Sequence, residues 1–255
     1  MGKPPFALNL PGFGVERVAQ IDSTNTELMR RARAGRLDPV LLVAEQQSAG
    51  RGRLGRHWFS GAGTSAGAPA LTFSLGLPLS PSDWSGLSLA VGVSIAESLH
   101  PDLRLKWPND IWWQERKLAG ILIETASLGE RRYLVVGVGI NIRQPQTTGL
   151  ATAPAWLQEL LPDIDTMQAL QRVAAPLLAA IQTFEQQGFL PFQTLFNERD
   201  ALGGREVSLS NGSAGTAQGV DAVGALCVQT AQGLEKISSS EVSVRPLALN
   251  GAVPS

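Results

Sequence analysis

The chain has 255 residues, of which 44% are hydrophobic and 17% charged, so it has room for one moderate core and a smaller second one. Lys and Arg number 21 against 22 Asp and Glu, and this balance lacks the overall positive field that favours nucleic-acid binding. One cysteine and two histidines exclude an internal disulfide and a Cys/His zinc cluster. With no signal-peptide pattern and no apolar run of membrane-spanning length, we expect a cytoplasmic protein that binds neither membrane nor DNA.

A helix start follows the first predicted strand, which covers residues 15–21. Ser23 or Thr24 can cap this helix, Thr24 and Glu27 have the spacing of a capping box, and Gly35 ends the helix. The free N–H groups and the two hydroxyls would suit a neutral polar ligand. Taken alone, these residues favour simple capping over a binding site.

The next feature is a loop rich in glycine and arginine, which follows an apolar strand over 40–44. Glycines that allow unusual backbone angles alternate there with guanidinium groups, a pattern that suits anion binding, although a solvated basic turn is the alternative. The bulky Trp58 and Phe59 come next, so we expect a mobile loop between two strands. Residues 61–69 read as a flexible connection and not as a Walker loop. The alternating residues are Gly50, Arg51, Gly52, Arg53, Gly55 and Arg56.

A strand over 71–77 and a helix capped by Asp83 follow, and the four-residue spacing of Leu87, Val91, Ile95 and Leu99 predicts a buried stripe. His100 then fits the C-terminal end of that helix, where the dipole favours it. We therefore interpret this stretch as core packing.

A second polar cluster lies where a strand over 103–107 ends at Pro108. Lys106, Asn109 and Asp110 meet at this end, although an Asn-Asp turn needs no function to explain it. Lys117 then begins a strand in which Ala119 and Gly120 leave room for a close backbone neighbour. A hairpin turn over 128–131 leads to an apolar strand that ends in G-V-G-I-N at 137–141, a motif too weak to assign a function alone.

The last third carries helices and then short strands. Residues 157–161, 165–187 and 189–202 have helical patterns, and Pro176 either kinks the second helix or starts a new one. From Gly203 onward, short alternating runs separated by Gly, Asn and Ser predict a small β-barrel. Cys227 lies in one of these strands and is interpreted as a buried small hydrophobe.

Taken in order, these motifs resemble one family, the biotin protein ligases, which make biotinyl-5′-AMP and pass the biotin to a lysine of a biotin carboxyl carrier protein. The resemblance implies an α/β (α+β) fold: a mixed, mainly antiparallel sheet backed by helices in a catalytic domain over 1–202, and an SH3-like barrel over 203–255. The matching motifs are S-T-N at 23–25, E-Q-Q-S-A-G-R-G-R-L-G-R-H-W at 45–58, K-W-P-N-D at 106–110, K-L-A-G-I-L-I-E at 117–124 and G-V-G-I-N at 137–141.

The resemblance also implies roles for individual side chains. For the head of biotin it implies Ser23, Thr24, Asn25 and Gln47; for its tail and the phosphate, Gly50, Arg51, Gly52 and Arg53. Lys117 would contact both the biotin carboxylate and the α-phosphate of ATP. For the nucleotide it implies Arg53, Arg56, Trp58, Lys106, Asn109 and Asn141. Catalysis would rest on Lys117, Arg53 and Asp110, with Asp110 as the candidate ligand of Mg²⁺.

Two features depart from the family pattern: Leu54 stands where many members carry a basic residue, and the insert over 61–69 is longer than expected. The chain has no room for the N-terminal DNA-binding domain of some relatives, so we expect a ligase only. A lipoate ligase or octanoyl transferase is the nearest alternative, and a non-catalytic nucleotide- or nucleic-acid-binding module is the alternative of another class. The identity of the carrier and a homodimer formed through sheet edges stay open.

Overall fold

The computed structural model describes residues 8–61, 68–145, 152–210, 212–238 and 244–246. Its main body is a seven-stranded sheet with the order β1-β2-β3-β7-β6-β5-β4, in which only the β1–β2 pair is parallel. This confirms the mixed, mainly antiparallel sheet. The strands are β1 (Gly14–Ile21), β2 (Val40–Gln47), β3 (Ala70–Pro78), β4 (Arg104–Lys106), β5 (Asp110–Trp113), β6 (Arg116–Leu128) and β7 (Arg131–Asn141).

Helix α1 (Thr24–Arg33) begins at the predicted polar cluster, and Ser23 is its N-cap, accepting a hydrogen bond from the Thr26 amide at 3.4 Å. The predicted capping box is wrong, because Glu27 lies one position beyond the residue that could reach back and pairs with Arg31 at 2.8 Å instead. Gly35, with φ of 81°, follows the helix end as predicted.

Helix α2 (Leu87–Leu99) buries the predicted apolar stripe and ends at His100. It begins three residues later than predicted, because the carboxylate of Asp83 accepts a hydrogen bond from the Ser85 amide at 2.9 Å in the preceding turn. Gly86, whose φ of 80° is left-handed, takes the N-cap position.

Helix α3 (Thr166–Gln187) starts at the N-cap Asp165 and runs through Pro176 without dividing. Two other predicted helices are shorter: residues 157–161 hold a 3-10 turn, Leu157–Glu159, and residues 189–202 hold a second 3-10 turn followed by α4 (Gln193–Glu198). Among the described helices, none has the length and apolar character needed to cross a membrane.

The two faces of the main sheet are covered differently. Alternate residues of β7, such as Val136 and Val138, point into the large core that α2 and α3 complete. The residues that alternate with this set, such as Tyr133 and Val135, pack with Leu28 of α1 on the opposite face. Because Gly137 and Gly139 continue that second face, β7 contributes no side chains to the sheet surface beside the start of α1.

A second sheet holds the C-terminal strands, in the antiparallel order β11-β10-β9-β8-β12. In the part of the chain that is described, no pairing joins β11 to β12, so these strands form an open sheet and not a closed barrel. Cys227 is half-buried, which corrects its prediction as a buried hydrophobe. Trp107 Nε1 donates to Gly224 O at 3.2 Å and joins this sheet to the main body. The strands are β8 (Glu206–Leu209), β9 (Ala214–Val220), β10 (Leu226–Thr230), β11 (Gly233–Ile237) and β12 (Val244–Pro246).

Candidate active site

A cavity of about 130 Å³ opens on the α1 face of the main sheet, where the predicted motifs come together. The first turn of α1, the Gly/Arg loop, the β4–β5 turn and the glycines of β6 and β7 all contribute to it. Most of the predicted site residues line this cavity: Ser23, Thr24, Asn25, Gln47, Arg51, Gly52, Arg53, Arg56, Trp58, Asn109, Asp110 and Lys117.

The floor of the cavity depends on two glycines of β7. A Cβ atom at Gly137 would lie 2.1 Å from Asn25 Oδ1, and one at Gly139 would lie 2.3 Å from the indole of Trp58. Each glycine therefore leaves the space that one side chain of the site occupies, and this gives the G-V-G-I-N motif a steric explanation. Gly120 of β6 likewise faces Lys117 Nζ and Trp58, so its predicted close neighbours are side chains and not backbone.

One end of the cavity is neutral and internally hydrogen-bonded. Gln47 Oε1 accepts from the Thr24 amide at 2.7 Å and from the Thr24 hydroxyl at 3.1 Å. Ser74 Oγ, fully buried on β3, lies 2.7 Å from Thr24 Oγ1 and 2.6 Å from Asn25 Oδ1. These groups are held in place by one another, which favours a rigid pocket for a polar but uncharged group.

Glu124 links this neutral end to the Gly/Arg loop. Its Oε2 accepts from Asn25 Nδ2 at 3.0 Å, and its Oε1 accepts from Arg51 Nη1 at 3.0 Å. Sequence reasoning assigned no role to either Ser74 or Glu124. Both are polar residues inside otherwise apolar strands, and that was the one signal that could have indicated them.

The other end of the cavity is charged. Lys117 Nζ and Asp110 Oδ1 form an ion pair at 2.7 Å. Burial lowers the pKa of the nearby Arg53, against the opposing effect of the Asp110 carboxylate and with a further contribution from Arg56. Of the side chains that line the cavity, Arg51, Arg53, Arg56 and Lys117 are cationic and only Asp110 is anionic, so this site attracts anions.

Backbone contacts define the shape of the Gly/Arg loop. Arg51 and His57 form an antiparallel bridge, and the Gly52 amide donates to Arg56 O at 2.7 Å. Leu54, at the tip, has a φ of 54° and is 61% exposed. The loop therefore folds back on itself between β2 and β3, and its predicted mobility stays a prediction.

Three predicted site residues, Gly50, Lys106 and Asn141, do not line the cavity. Gly50 lies where the loop closes, because a Cβ there would be 2.3 Å from Trp58 O. Lys106 Nζ lies 5.3 Å from the centre of the Trp112 ring, and burial lowers its pKa. Asn141 is buried and donates to Ala155 O at 3.0 Å. Their contacts here are structural, and the ligand contacts implied for them stay predictions.

Asn109 and Trp58, which do line the cavity, are also positioned by the sheet. Asn109 Nδ2 donates to Ile121 O at 2.7 Å and ties the β4–β5 turn to β6. The indole N–H of Trp58 is buried and has no hydrogen-bond partner among the described residues. In the described part of the chain, no three His, Cys, Asp or Glu side chains are grouped as a metal site.

Comparison with known proteins assigns the fold and this site to a class. Residues 17–141 match the model of the Biotin/lipoate A/B protein ligase family, and residues 203–245 match that of the Biotin protein ligase C terminal domain. The first match contains every predicted site residue, and the two matches together define a ligase of the biotin/lipoate class.

Individual relatives narrow this class. The chain is 35% identical over 247 residues to the bifunctional ligase/repressor BirA of Escherichia coli, covering 92% of this chain and 75% of that protein. It is 32% identical to the biotin–[acetyl-CoA-carboxylase] ligase of Paracoccus denitrificans, covering 88% of this chain and 98% of that protein. The biotin protein ligase from Aquifex aeolicus in complex with biotin and ATP has a TM-score of 0.76 and 29% identity, covering 91% of this chain and 99% of that one. The chain belongs to the biotin protein ligase family and is an enzyme, a biotin ligase, so the lipoate alternative is not favoured.

Proposed function

We propose that the cavity activates biotin with ATP, forming biotinyl-5′-AMP and pyrophosphate, and that it then transfers biotin to a lysine of a biotin carboxyl carrier protein. The observation that carries this proposal is the division of one cavity into a neutral hydrogen-bonding end and a cationic end. Biotin has the same division, with an uncharged ureido head and a carboxylate at the end of its tail.

At the neutral end, Ser23, Thr24 and Gln47 would hold the ureido group, with Asn25 beside them. A ureido group offers N–H donors and a carbonyl acceptor, and hydroxyl and amide side chains can satisfy both. Because Gln47 and Thr24 already hydrogen-bond to each other, they need little reordering when the head binds.

At the cationic end, the first step joins two anions. A carboxylate oxygen of biotin attacks the α-phosphorus of ATP, the bond from that phosphorus to the pyrophosphate oxygen breaks, and the electron pair leaves with pyrophosphate. Lys117 and Arg53 would reduce the repulsion between the reactants and stabilise the charge on the phosphoryl oxygens. Lys117 would exchange its contact with Asp110 for one with these anions.

We also propose that Asp110 holds Mg²⁺, directly or through water. Magnesium in nucleotide sites is typically bound by one or two carboxylates and by substrate phosphates, and a single carboxylate at the cavity fits this requirement. When bound, the ion would neutralise phosphate charge and help pyrophosphate leave.

In the second step, the amine of the carrier lysine attacks the biotinyl carbonyl, the bond from that carbon to the phosphate oxygen breaks, AMP leaves and the amine loses a proton. The mixed anhydride reacts readily with water, so it must be shielded until the carrier arrives. The Gly/Arg loop and Trp58, which lies across Gly139 on the cavity floor, would provide this shield.

The same proposal covers the remaining organisation of the molecule. We place the catalytic domain at residues 1–202 and the C-terminal domain at 203–255, and the need for ATP favours a cytoplasmic location. No contact with DNA or membrane is required for this reaction.

The test is mass spectrometry of the protein incubated with biotin, ATP and Mg²⁺, with lipoate in place of biotin as the parallel substrate. We expect bound biotinyl-5′-AMP and no lipoyl adenylate. Omitting Mg²⁺ in the presence of a chelator should stop adenylate formation. If nucleotide binds and no adenylate forms with either acid, the proposed chemistry is wrong and a binding module takes its place.

A further inference from the structure

We propose that Glu124 is a positioning residue that couples the biotin-head pocket to the Gly/Arg loop through one carboxylate. This inference rests on the proposed function, since it concerns how the same cavity is assembled. The hydrogen-bond network that carries it begins at the end of β2, just before the loop, and ends on the loop. Its members, in order of contact, are Gln47, Thr24, Ser74, Asn25, Glu124 and Arg51.

The register of the sheet explains why this network can form. Gly137 of β7 pairs with Ser74 on one side and with Leu122 on the other. Asn25 lies over this glycine, with Oδ1 at Ser74 and with Nδ2 3.3 Å from Leu122 O and 3.0 Å from Glu124 Oε2. The side chain of Asn25 therefore bridges three strands, and its orientation depends on an acceptor at position 124.

Two donors converge on the carboxylate of Glu124. Asn25 Nδ2 donates to Oε2 at 3.0 Å, and Arg51 Nη1 donates to Oε1 at 3.0 Å and to Oε2 at 3.3 Å. A carboxylate can accept both bonds, whereas the amide of glutamine has only one acceptor oxygen and would present its NH₂ group to the second donor. Glu124→Gln therefore removes the charge and one of the two acceptor oxygens, which weakens the link to Arg51, while it keeps the size of the side chain.

The ion pair between Glu124 and Arg51 can be compared with the pair between Glu45 and Arg17. The Glu124 side chain is 20% exposed and that of Arg51 is 49% exposed, whereas Glu45 is 42% and its partner Arg17 27% exposed. The Glu124 carboxylate is the less exposed of the two and is also fixed by Asn25, so its pair with Arg51 can hold the loop in one position. This makes Glu45→Gln a matched control: the same substitution in a Glu–Arg pair that does not line the cavity.

The experiment compares steady-state kinetics and amide hydrogen exchange of Glu124→Gln, Glu45→Gln and the unmodified protein. For Glu124→Gln we expect the KM for biotin to rise about tenfold and kcat to change by less, because Lys117 and Asp110 keep their contact. Amides of residues 50–58 should exchange about tenfold faster without ligand, because the loop has lost its link to the sheet. Glu45→Gln should match the unmodified protein in both measurements.

A double-mutant cycle with Arg51→Gln separates positioning from a general loss of stability. If Glu124 acts through Arg51, adding Glu124→Gln to Arg51→Gln should raise the KM for biotin by less than it does in the unmodified protein. Additive effects would overturn the coupling. Should Glu124→Gln fail to fold, Arg51→Gln alone still tests the network, since it should speed amide exchange at residues 24–26.

Failure of this inference and failure of the proposed function give different results. If the unmodified protein forms no biotinyl adenylate, the function is wrong, and the exchange measurements still decide whether Glu124 links the loop to α1. If the adenylate forms and Glu124→Gln has normal KM for biotin and normal loop exchange, the function stands and the positioning role is overturned.

Discussion

The two ends of the cavity are built on opposite principles. At the neutral end, Gln47, Thr24, Ser74 and Asn25 already satisfy one another before any ligand binds. At the charged end, the cations that line the cavity outnumber the single carboxylate, Asp110. A preformed network binds an uncharged group with little loss of conformational entropy, whereas an excess of positive charge is balanced only when anions bind.

Along one surface of the sheet, the neutral end of the cavity would bind biotin and the charged end would carry out the reaction. Gly137 seats Asn25 at the neutral end, and Gly139, two residues further along β7, seats Trp58 toward the charged end. Substitutions at the neutral end should therefore change KM for biotin, and those at the charged end should change the rate of adenylate formation or its retention.

The largest effect is expected for Lys117→Ala. Loss of the ammonium removes charge stabilisation at the phosphoryl oxygens and leaves the Asp110 carboxylate without its partner, so adenylate synthesis should fall by about 100- to 1,000-fold. Pyrophosphate release measures this step. Lys236→Ala, in a Lys–Asp pair on the C-terminal sheet, is the matched control and should leave the rate unchanged. A near-normal rate for Lys117→Ala would exclude its role.

Arg53→Gly should have a smaller effect and a different one. Arg53 lines the charged end, and loss of its guanidinium should weaken retention of biotinyl-5′-AMP. A hydrogen bond to a charged group is worth about 1.5–3 kcal/mol, so release should be about 10- to 100-fold faster. Rapid gel filtration of the pre-formed complex measures retention. Arg36→Gly, at an exposed arginine after α1, is the control, and normal retention by Arg53→Gly would contradict the assignment.

At the neutral end, Gly137→Ala tests the seat of Asn25. The added methyl group would lie 2.1 Å from Asn25 Oδ1, so Asn25 must move or the strand must shift, at a cost of about 1–3 kcal/mol. We expect the KM for biotin to rise about tenfold with a lower free energy of unfolding. Gly14→Ala, whose nearest atom is Pro39 O at 3.8 Å, controls for the loss of a strand glycine. An unchanged KM would show that the head pocket does not depend on Asn25.

Much of the fold and of the site could be predicted from the sequence. The rest depends on contacts between residues that are far apart in the sequence. Local patterns located β2, β3, β6 and β7, and the order of the motifs brought Thr24, Arg53, Asp110 and Lys117 to one site. Ser74 gave no such pattern, because a lone hydroxyl in an apolar strand becomes meaningful only when the register places it beside Asn25. The start of α2 was also missed, because Asp83 caps a turn as readily as a helix.

The same limit applies to the glycines of β7. Their spacing placed them on one face of a strand, but the side chains that fill the space above them come from α1 and from the Gly/Arg loop, far away in the sequence. Cys227 illustrates the converse, since an apolar strand predicted burial, but Cys227 lies on the opposite face of β10 from the buried Leu226 and Val228 and is half-buried. Burial depends on what covers a strand, and the strand's own sequence does not contain that information.

The smallest effect on activity is expected at Asp200, a carboxylate that contrasts with Asp110 because, among the described residues, no cation forms an ion pair with it. Its Oδ2 is buried without a hydrogen-bond partner among the described residues, and burial raises its pKa to about 6, partly opposed by the Leu202 amide. Because the folded-state pKa lies above the unfolded value of 3.8, the folded protein binds the proton more tightly, and stability is lost as the pH rises from about 4 to about 6.

Asp200→Asn should remove this penalty. Above pH 6 the variant should unfold with a free energy about 1–3 kcal/mol higher than that of the unmodified protein, and the difference should disappear near pH 4. Urea denaturation across this range measures it, with adenylate synthesis unchanged because Asp200 does not line the cavity. Asp163→Asn, at an exposed carboxylate, should stay within about 0.5 kcal/mol at every pH. A variant less stable than the unmodified protein at pH 7 would mean that the buried carboxylate is charged and stabilised, which would remove its contrast with Asp110.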